Sequence, residues 1–349
     1  MKLLMVTRKV DKGDALAGFS YTWVKKIAQH VNDLKVICLE KGNTEGLPDN
    51  VKIYSLGKEG NNSRFARFKL WNKYCLKHVS EVDGIFCHQN PEYTIAMWPY
   101  ALLRRKKIIS WYTHRAVTWK TKLMAMMAAK VLTASVDSFR INTAKKLVVG
   151  HGIDLDRFKT SDTKHVDERF NIVTVGRISP TKDYETMILA VKKLVQENDS
   201  NIHLSIIGGV PIESQRSYYD ALLKIVANHN LRDNISFKGW VPNEKIVDEL
   251  KKSDLFINLS GTGSLDKAIL EAMAARCLVL TSNEAFKDFL PVTLMVEANN
   301  PEALARKISE LMRLPTIELE NILDSMFQVV SSQHNLDNLV KKIIQQFGT

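Results

Sequence analysis

Short apolar runs rich in Val and Ile alternate with longer amphipathic segments along most of this 349-residue chain. The first half reads LLMV, GFSYTWVKKIAQHV, LKVICLE, RFARFKLWNKYCLKHV and GIFCH, then EYTIAMWPYALLRRKK, KIISWYTH, KTKLMAMMAAKVL, VLTAS and KLVVG. A short continuous apolar run fits a strand buried on both faces, and a longer segment with helical spacing fits an amphipathic helix. Strand and helix in regular alternation predict a parallel sheet covered by helices on both faces, and a first doubly wound domain ending near residue 150.

The polar stretch KTSDTKHVDER, which has no apolar period, is the expected domain boundary. A second series of strands follows: NIVTVG, IHLSIIGG, NISFKG, LFINLS and CLVLTS. Between them lie the helix candidates DYETMILAVKKLVQEN, SYYDALLKIVANHN, NEKIVDELKKS and DKAILEAMAA. PEALARKISELMRL and LDNLVKKIIQQF read as closing helices. The fold class expected is α/β, with two Rossmann-like doubly wound domains facing across a cleft. The first would span residues 1–155, with helix 333–349 packing back on it, and the second residues 165–332.

Composition narrows the class. The length exceeds what one hydrophobic core usually supports, which favours two domains. With 45% hydrophobic and 25% charged residues, the chain has the balance of an ordinary globular protein. The apolar run of MKLLMVTRKV stops at Thr7, too short for a signal-peptide core or a membrane span. Cys38, Cys75, Cys87 and Cys277 show no paired spacing, which argues against a disulfide framework or a zinc site and for reduced thiols in a cytoplasmic protein. The net charge of +11 divides unevenly, with +15 in residues 1–150 and −4 in the rest. Residues 101–150 hold eleven basic side chains and one acid, Asp137. Such a field attracts an anionic partner: nucleic acid, a phospholipid surface or a phosphorylated acceptor.

Two segments carry candidate chemistry. In VTVGRISPTKDYETMI, Arg177 and Lys182 lie between a strand end and a helix N-terminus, where two cations can reach one diphosphate. In NLSGTGSLDKAILEAMAARCLVLTS, Ser260 to Ser264 form a loop of small residues with backbone N–H groups to offer, and Ser264 or Asp266 can cap the next helix. Glu271 lies inside that helix, and a buried carboxylate there needs hydrogen-bond donors such as a ribose diol.

These pieces, with Ala17-Gly18-Phe19, SWYTH ending at His114, GHGIDLDRF, LSIIGG and NISFKGWVP, resemble family 4 of the retaining glycosyltransferases with the GT-B fold, in family order and over nearly the whole chain. The resemblance implies that Arg177 and Lys182 bind the donor diphosphate and Glu271 the ribose. Trp240 and Val241 would lie beside the base, Gly18 near the phosphates, and the backbone of Gly263, Ser264, Leu265 and Asp266 along the donor. His114 would face the transferred sugar, with His88 a second acceptor-side candidate. One departure stands out: the family's commonest signature has a glutamate eight positions before Glu271, where this chain has Gly263, although Asp266 and Lys267 are near enough in sequence to compensate. The D-x-D pair Asp154 and Asp156 matches the linker of this fold rather than a metal site, so no metal or other cofactor is expected.

The function expected is transfer of a sugar from a UDP- or GDP-sugar to a hydroxyl acceptor with retention, in surface polysaccharide or glycolipid synthesis. Alternatives are a nucleotide-sugar epimerase or sugar phosphorylase on the same fold, or a basic nucleic-acid-binding protein, against which no binding motif accompanies the charge. The segments 64–77 and 104–130 mix cations with aromatic and Met residues. They are the expected contact with an anionic membrane at the inner face.

Overall fold

The computed structural model describes residues 1–14, 17–159, 169–197, 201–210, 212–261 and 263–348. The polar stretch expected to divide the domains lies, apart from its two ends, outside them. The chain forms two compact units, one of Met1–Asp154 with Gln333–Thr349, the other of Leu155–Ser332.

The first unit runs β1 (Lys2–Val10), α1 (Gly18–Ala28), β2 (Asp33–Lys41), β3 (Val51–Ser55), α2 (Arg64–His78), β4 (Gly84–His88), α3 (Pro91–Leu103), β5 (Lys107–Trp111), α4 (Trp119–Met127), β6 (Lys130–Thr133) and β7 (Lys146–Val148). Its seven strands pair in parallel in the order β3-β2-β1-β4-β5-β6-β7. The chain therefore changes direction of winding between β1 and β4, where a doubly wound sheet opens a crevice. β3 is absent from the sequence-based expectation because VKIYS is a half-exposed edge strand and not an apolar run. KIISWYTH is only partly strand: β5 ends at Trp111, and His114 lies in the loop that follows.

The second unit runs β8 (Phe170–Val175), α5 (Tyr184–Gln196), β9 (Ile202–Ile207), α6 (Arg216–Asn228), β10 (Ile235–Gly239), α7 (Asn243–Lys251), β11 (Leu255–Asn258), α8 (Lys267–Ala274), β12 (Leu278–Thr281), α9 (Pro301–Met312) and α10 (Thr316–Gln333). Its parallel order is β10-β9-β8-β11-β12, with the switch between β8 and β11. α10, not anticipated, is tied to the end of α8 through Arg276, which pairs with Glu320 at 2.8 Å and with Asp324.

The last helix, α11 (Leu336–Gly348), belongs to the first unit. Lys26 on α1, 6% exposed, holds Asp337 at 3.0 Å and Asp154 at 3.4 Å. Gly84 makes room for the Phe347 ring, which a Cβ there would meet at 2.2 Å. All four cysteines are buried. Burial pushes the thiols of Cys38 and Cys87 up to about 12, so neither is a ready nucleophile. No helix among the described residues is long and apolar enough to cross a membrane.

Candidate functional site

The loops after β8 and β11 flank the switch point of the second unit, and they carry the candidate residues. Parallel strands deliver both loops to the same sheet edge, the carboxyl edge, where this architecture binds ligands. Gly176 directly follows β8, and Arg177 comes next with an exposed side chain. Pro180–Lys182 then form one turn of 3₁₀ helix, and Asp183 sits at φ 52° before its carboxylate caps α5 at Thr186 N–H, 3.4 Å away. Tyr184, fully buried, donates its hydroxyl to the carbonyls of Gly176 at 2.9 Å and Arg177 at 3.3 Å, which fixes the backbone beneath the two cations.

A glycine is required at 208 for two reasons. Its φ is 138°, and a Cβ would lie 1.9 Å from the Gly176 carbonyl oxygen. The end of β9 can thus close against the end of β8. Next to it, Gly209 lies under the Trp240 indole, whose Nε1 a Cβ would meet at 2.3 Å. Trp240 stays 43% exposed, an open aromatic face beside the loops, and Val241 follows half-buried.

Asp266 is the N-cap of α8. Its carboxylate accepts from Ala268 N–H at 3.1 Å, Asn258 Nδ2 at 3.0 Å and Lys182 Nζ at 2.6 Å. Burial by itself would raise the Asp266 carboxyl; the Lys182 charge and the three donors outweigh it and hold the carboxyl below its ordinary value. Lys182 is thereby placed over the Gly176 backbone, its Cε 3.1 Å from where a Cβ would stand. Gly263 has φ 61°, Leu265 is buried, and the Ser264 carbonyl accepts from Asn283 Nδ2 at 2.9 Å, so the loop ahead of α8 is pinned.

Glu271, 7% exposed, lies one turn further along α8. Its Oε1 takes Lys267 Nζ and Arg157 Nη1, the latter at 3.4 Å. No bond to its Oε2 occurs among the described residues, which leaves an acceptor for a hydroxyl pair. Arg157, whose other nitrogen donates to the Asn243 carbonyl, is a member of this cluster that sequence reasoning missed. Its place in GHGIDLDRF carries no signal for it, because the partner is 114 residues away.

The first-unit candidates occupy a different setting. Gly18 opens α1, with its N–H on the Asp14 carbonyl at 2.9 Å. His88 ends β4 but is 1% exposed, so it does not reach the surface as an acceptor-side residue would. Its Nδ1 meets Thr7 Oγ1 at 3.0 Å, and its ring packs against Trp23 at 4.6 Å and Phe19 at 5.9 Å. Burial pushes the His88 imidazole down to about 3, which makes it a neutral core residue. His114 is exposed, with its ring 5.5 Å from Tyr112.

The comparisons with known proteins agree with this architecture. Over the full chain the fold superposes on the crystal structure of Anabaena Alr3699/HepE in complex with UDP and glucose, with a TM-score of 0.79, 16% identity and 100% of both chains covered. A glycosyltransferase from Rickettsia africae gives 0.76 at 17% identity, covering 99% of this chain and 98% of that one. The fold is thus that of the GT-B class, with two Rossmann-like parallel-sheet units. Residues 156–325, nearly the whole second unit, match the family model of glycosyl transferases group 1. Among curated relatives, the D-inositol 3-phosphate glycosyltransferase of Streptomyces avermitilis is 25% identical over 200 residues, 52% of this chain and 42% of that protein. The capsular polysaccharide biosynthesis glycosyltransferase CapH of Staphylococcus aureus is 25% identical over 165 residues, 47% of this chain and 43% of its own. The matched stretch spans less than half the length of these relatives.

Proposed function

We propose that the chain is a retaining glycosyltransferase of family 4 that moves a hexose-type sugar from a UDP- or GDP-linked donor to a hydroxyl acceptor, in surface polysaccharide or glycolipid synthesis. The observation that carries this reading is the site at the β8–β11 switch. It joins an exposed Arg177, a Lys182 held by Asp266 at 2.6 Å, and a Glu271 whose second oxygen is open. Solved neighbours of the same fold hold UDP and UDP-glucose, which supports a nucleotide-sugar donor.

In this reading Arg177 and Lys182 take the diphosphate and neutralise the charge that grows on it as the glycosidic bond breaks. Glu271 Oε2 accepts from the ribose diol, while Lys267 and Arg157 orient the carboxylate. Trp240 and Val241 flank the base, and the backbone from Gly263 to Asp266 meets the donor. Gly18 and His114 serve the phosphates and the acceptor side. No metal is needed, because fixed side-chain cations do the work a divalent ion would do. The basic first unit meets an anionic membrane surface through residues 64–77 and 104–130, which brings a lipid-linked acceptor within reach.

The test is thermal unfolding against a panel of UDP- and GDP-sugars. A donor present at about 100 times its Kd adds about 2.7 kcal/mol to the folded state. The reading fails if no member of the panel stabilises the protein, or if the stabilising donor is consumed without an acceptor, which is the signature of an epimerase.

A further inference from the structure

A cavity of about 530 Å³ opens in the first unit between α2 and α3, beneath the ends of β2 and β3, and no part of the site described above reaches it. Its volume lies within the roughly 300–1,000 Å³ of small-molecule sites. The walls are mostly apolar: Leu39 and Leu56 come from the sheet side, Phe68 and Trp71 from α2, Ala96 and Pro99 from α3, while Asn72 and Tyr100 add one polar pair in which the Tyr100 hydroxyl donates to Asn72 Oδ1. Their helical spacing explains the groove. Arg64, Phe68 and Trp71 share one face of α2, and Ala96 and Pro99 share a face of α3 with Leu103.

The rim carries the opposite chemistry. Arg64 and Arg67 line the cavity, and the Arg67 Nε is buried with no hydrogen-bond partner. An unsatisfied buried donor beside a mostly apolar pocket, whose Asn72 and Tyr100 side chains bond each other, points to a missing acceptor. Glu40 is paired with Lys58 at 2.5 Å and Glu92 with Lys120 at 2.7 Å, and α2 contains no acidic residue at all. Around the opening, Phe65 (66% exposed), Phe68 (62%) and Leu103 (70%) present apolar surface to solvent, and Lys69 lies over the Phe65 ring at 4.6 Å.

We infer that this cavity binds one acyl chain of an anionic membrane lipid, with its phosphate on Arg64 and Arg67. The apolar walls receive the chain, Arg67 Nε–H gains an anionic acceptor, and the exposed Phe and Leu side chains seat the opening in the lipid interface. This reading narrows the proposed membrane contact to one site on α2 and α3. It is independent of glycosyl transfer.

The experiment uses the full chain and a lysophosphatidylglycerol with a brominated chain, kept below its micelle-forming concentration. Calorimetry should give saturable binding of one molecule per chain, and bromine should quench the Trp71 fluorescence, a component missing in Trp71→Phe. The choline-headed analogue with the same chain should bind at least tenfold more weakly. Arg67→Gln should cost a similar factor. Ala96→Trp, at an exposed wall position, should abolish binding with the unfolding temperature unchanged; should that variant fold poorly, Arg67→Gln and the head-group comparison still decide. Absence of saturable binding, equal affinity for the choline head, or binding that survives both substitutions overturns the inference. Equal stabilisation by inorganic phosphate alone overturns it too, since that would mark a free-anion site. Vesicle flotation retained without pocket binding would remove this site and leave the broader membrane contact standing.

Discussion

Lys182 and Asp266, 84 residues apart in sequence, meet at 2.6 Å across the point where the second sheet reverses its winding. The pair links the loop after β8 to the N-terminus of α8, so the proposed diphosphate cation is oriented by the same carboxylate that caps the helix. Lys182→Ala should lower turnover by about a hundredfold at saturating donor, on the order of 3 kcal/mol of lost stabilisation at the leaving group. Asp266→Asn keeps a capping side chain and removes the charge that holds Lys182 in place. It should cost about tenfold, or about 1.4 kcal/mol, with little change in unfolding temperature. Steady-state rates with either variant check this, and full activity in Lys182→Ala would remove the residue from the mechanism.

Arg177 makes a sharper test, because it is exposed and outside the core. Arg177→Ala should reduce turnover by a similar hundredfold without touching stability, and Arg177→Lys should restore only part of it, since Lys lacks the planar fork. A loss confined to KM would instead mark a residue that binds donor and transition state equally.

Chelation by EDTA should leave activity unchanged, because fixed cations and backbone N–H groups occupy the role of a metal in this reading. Complete loss that a divalent ion restores would contradict it.

The first unit should lose stability on acidification well before its carboxylates titrate. His88 is pushed down to about 3 by burial, and His334 to about 4 by burial and then by the charge of Lys342. Both have an unfolded value near ~6.5. Between these limits the unfolded chain binds more protons than the folded one, so the contribution is complete above about pH 6.5 and falls as pH drops towards the folded values. Each histidine contributes a slope of up to about 1.4 kcal/mol per pH unit. Urea unfolding of the protein and of His88→Gln at pH 7.5 and 5 checks this: the variant should show a smaller drop between the two.

At low salt the protein should float with vesicles containing phosphatidylglycerol, and changing Arg64, Arg67, Lys69 and Lys73 to Glu should release it, each cation being worth about 1 kcal/mol near an anionic surface. Trp71 and Tyr74 pack against the core, while Phe65 and Phe68 remain exposed. Absence of binding would end the membrane contact and leave the transferase reading intact.

The sequence by itself determined the alternation of strand and helix, because a doubly buried strand must be an apolar run and a helix lying on a sheet must be amphipathic, and both patterns are local. It also placed Arg177 and Lys182 between a strand end and a helix N-terminus, Gly263 and Asp266 just ahead of the next helix, and Glu271 inside that helix. It was silent where the pattern is weak or the partner distant. β3 is a half-exposed edge strand, His88 looks like any strand-end histidine until Trp23 and Phe19 close over it, and the Arg157–Glu271 pairing spans 114 residues. Only the tertiary structure decided which face of α2 is buried, that Asp266 holds Lys182, and that a cavity with an unsatisfied arginine lies between α2 and α3. Each of these depends on contacts between segments that sheet order, and not sequence proximity, brings together.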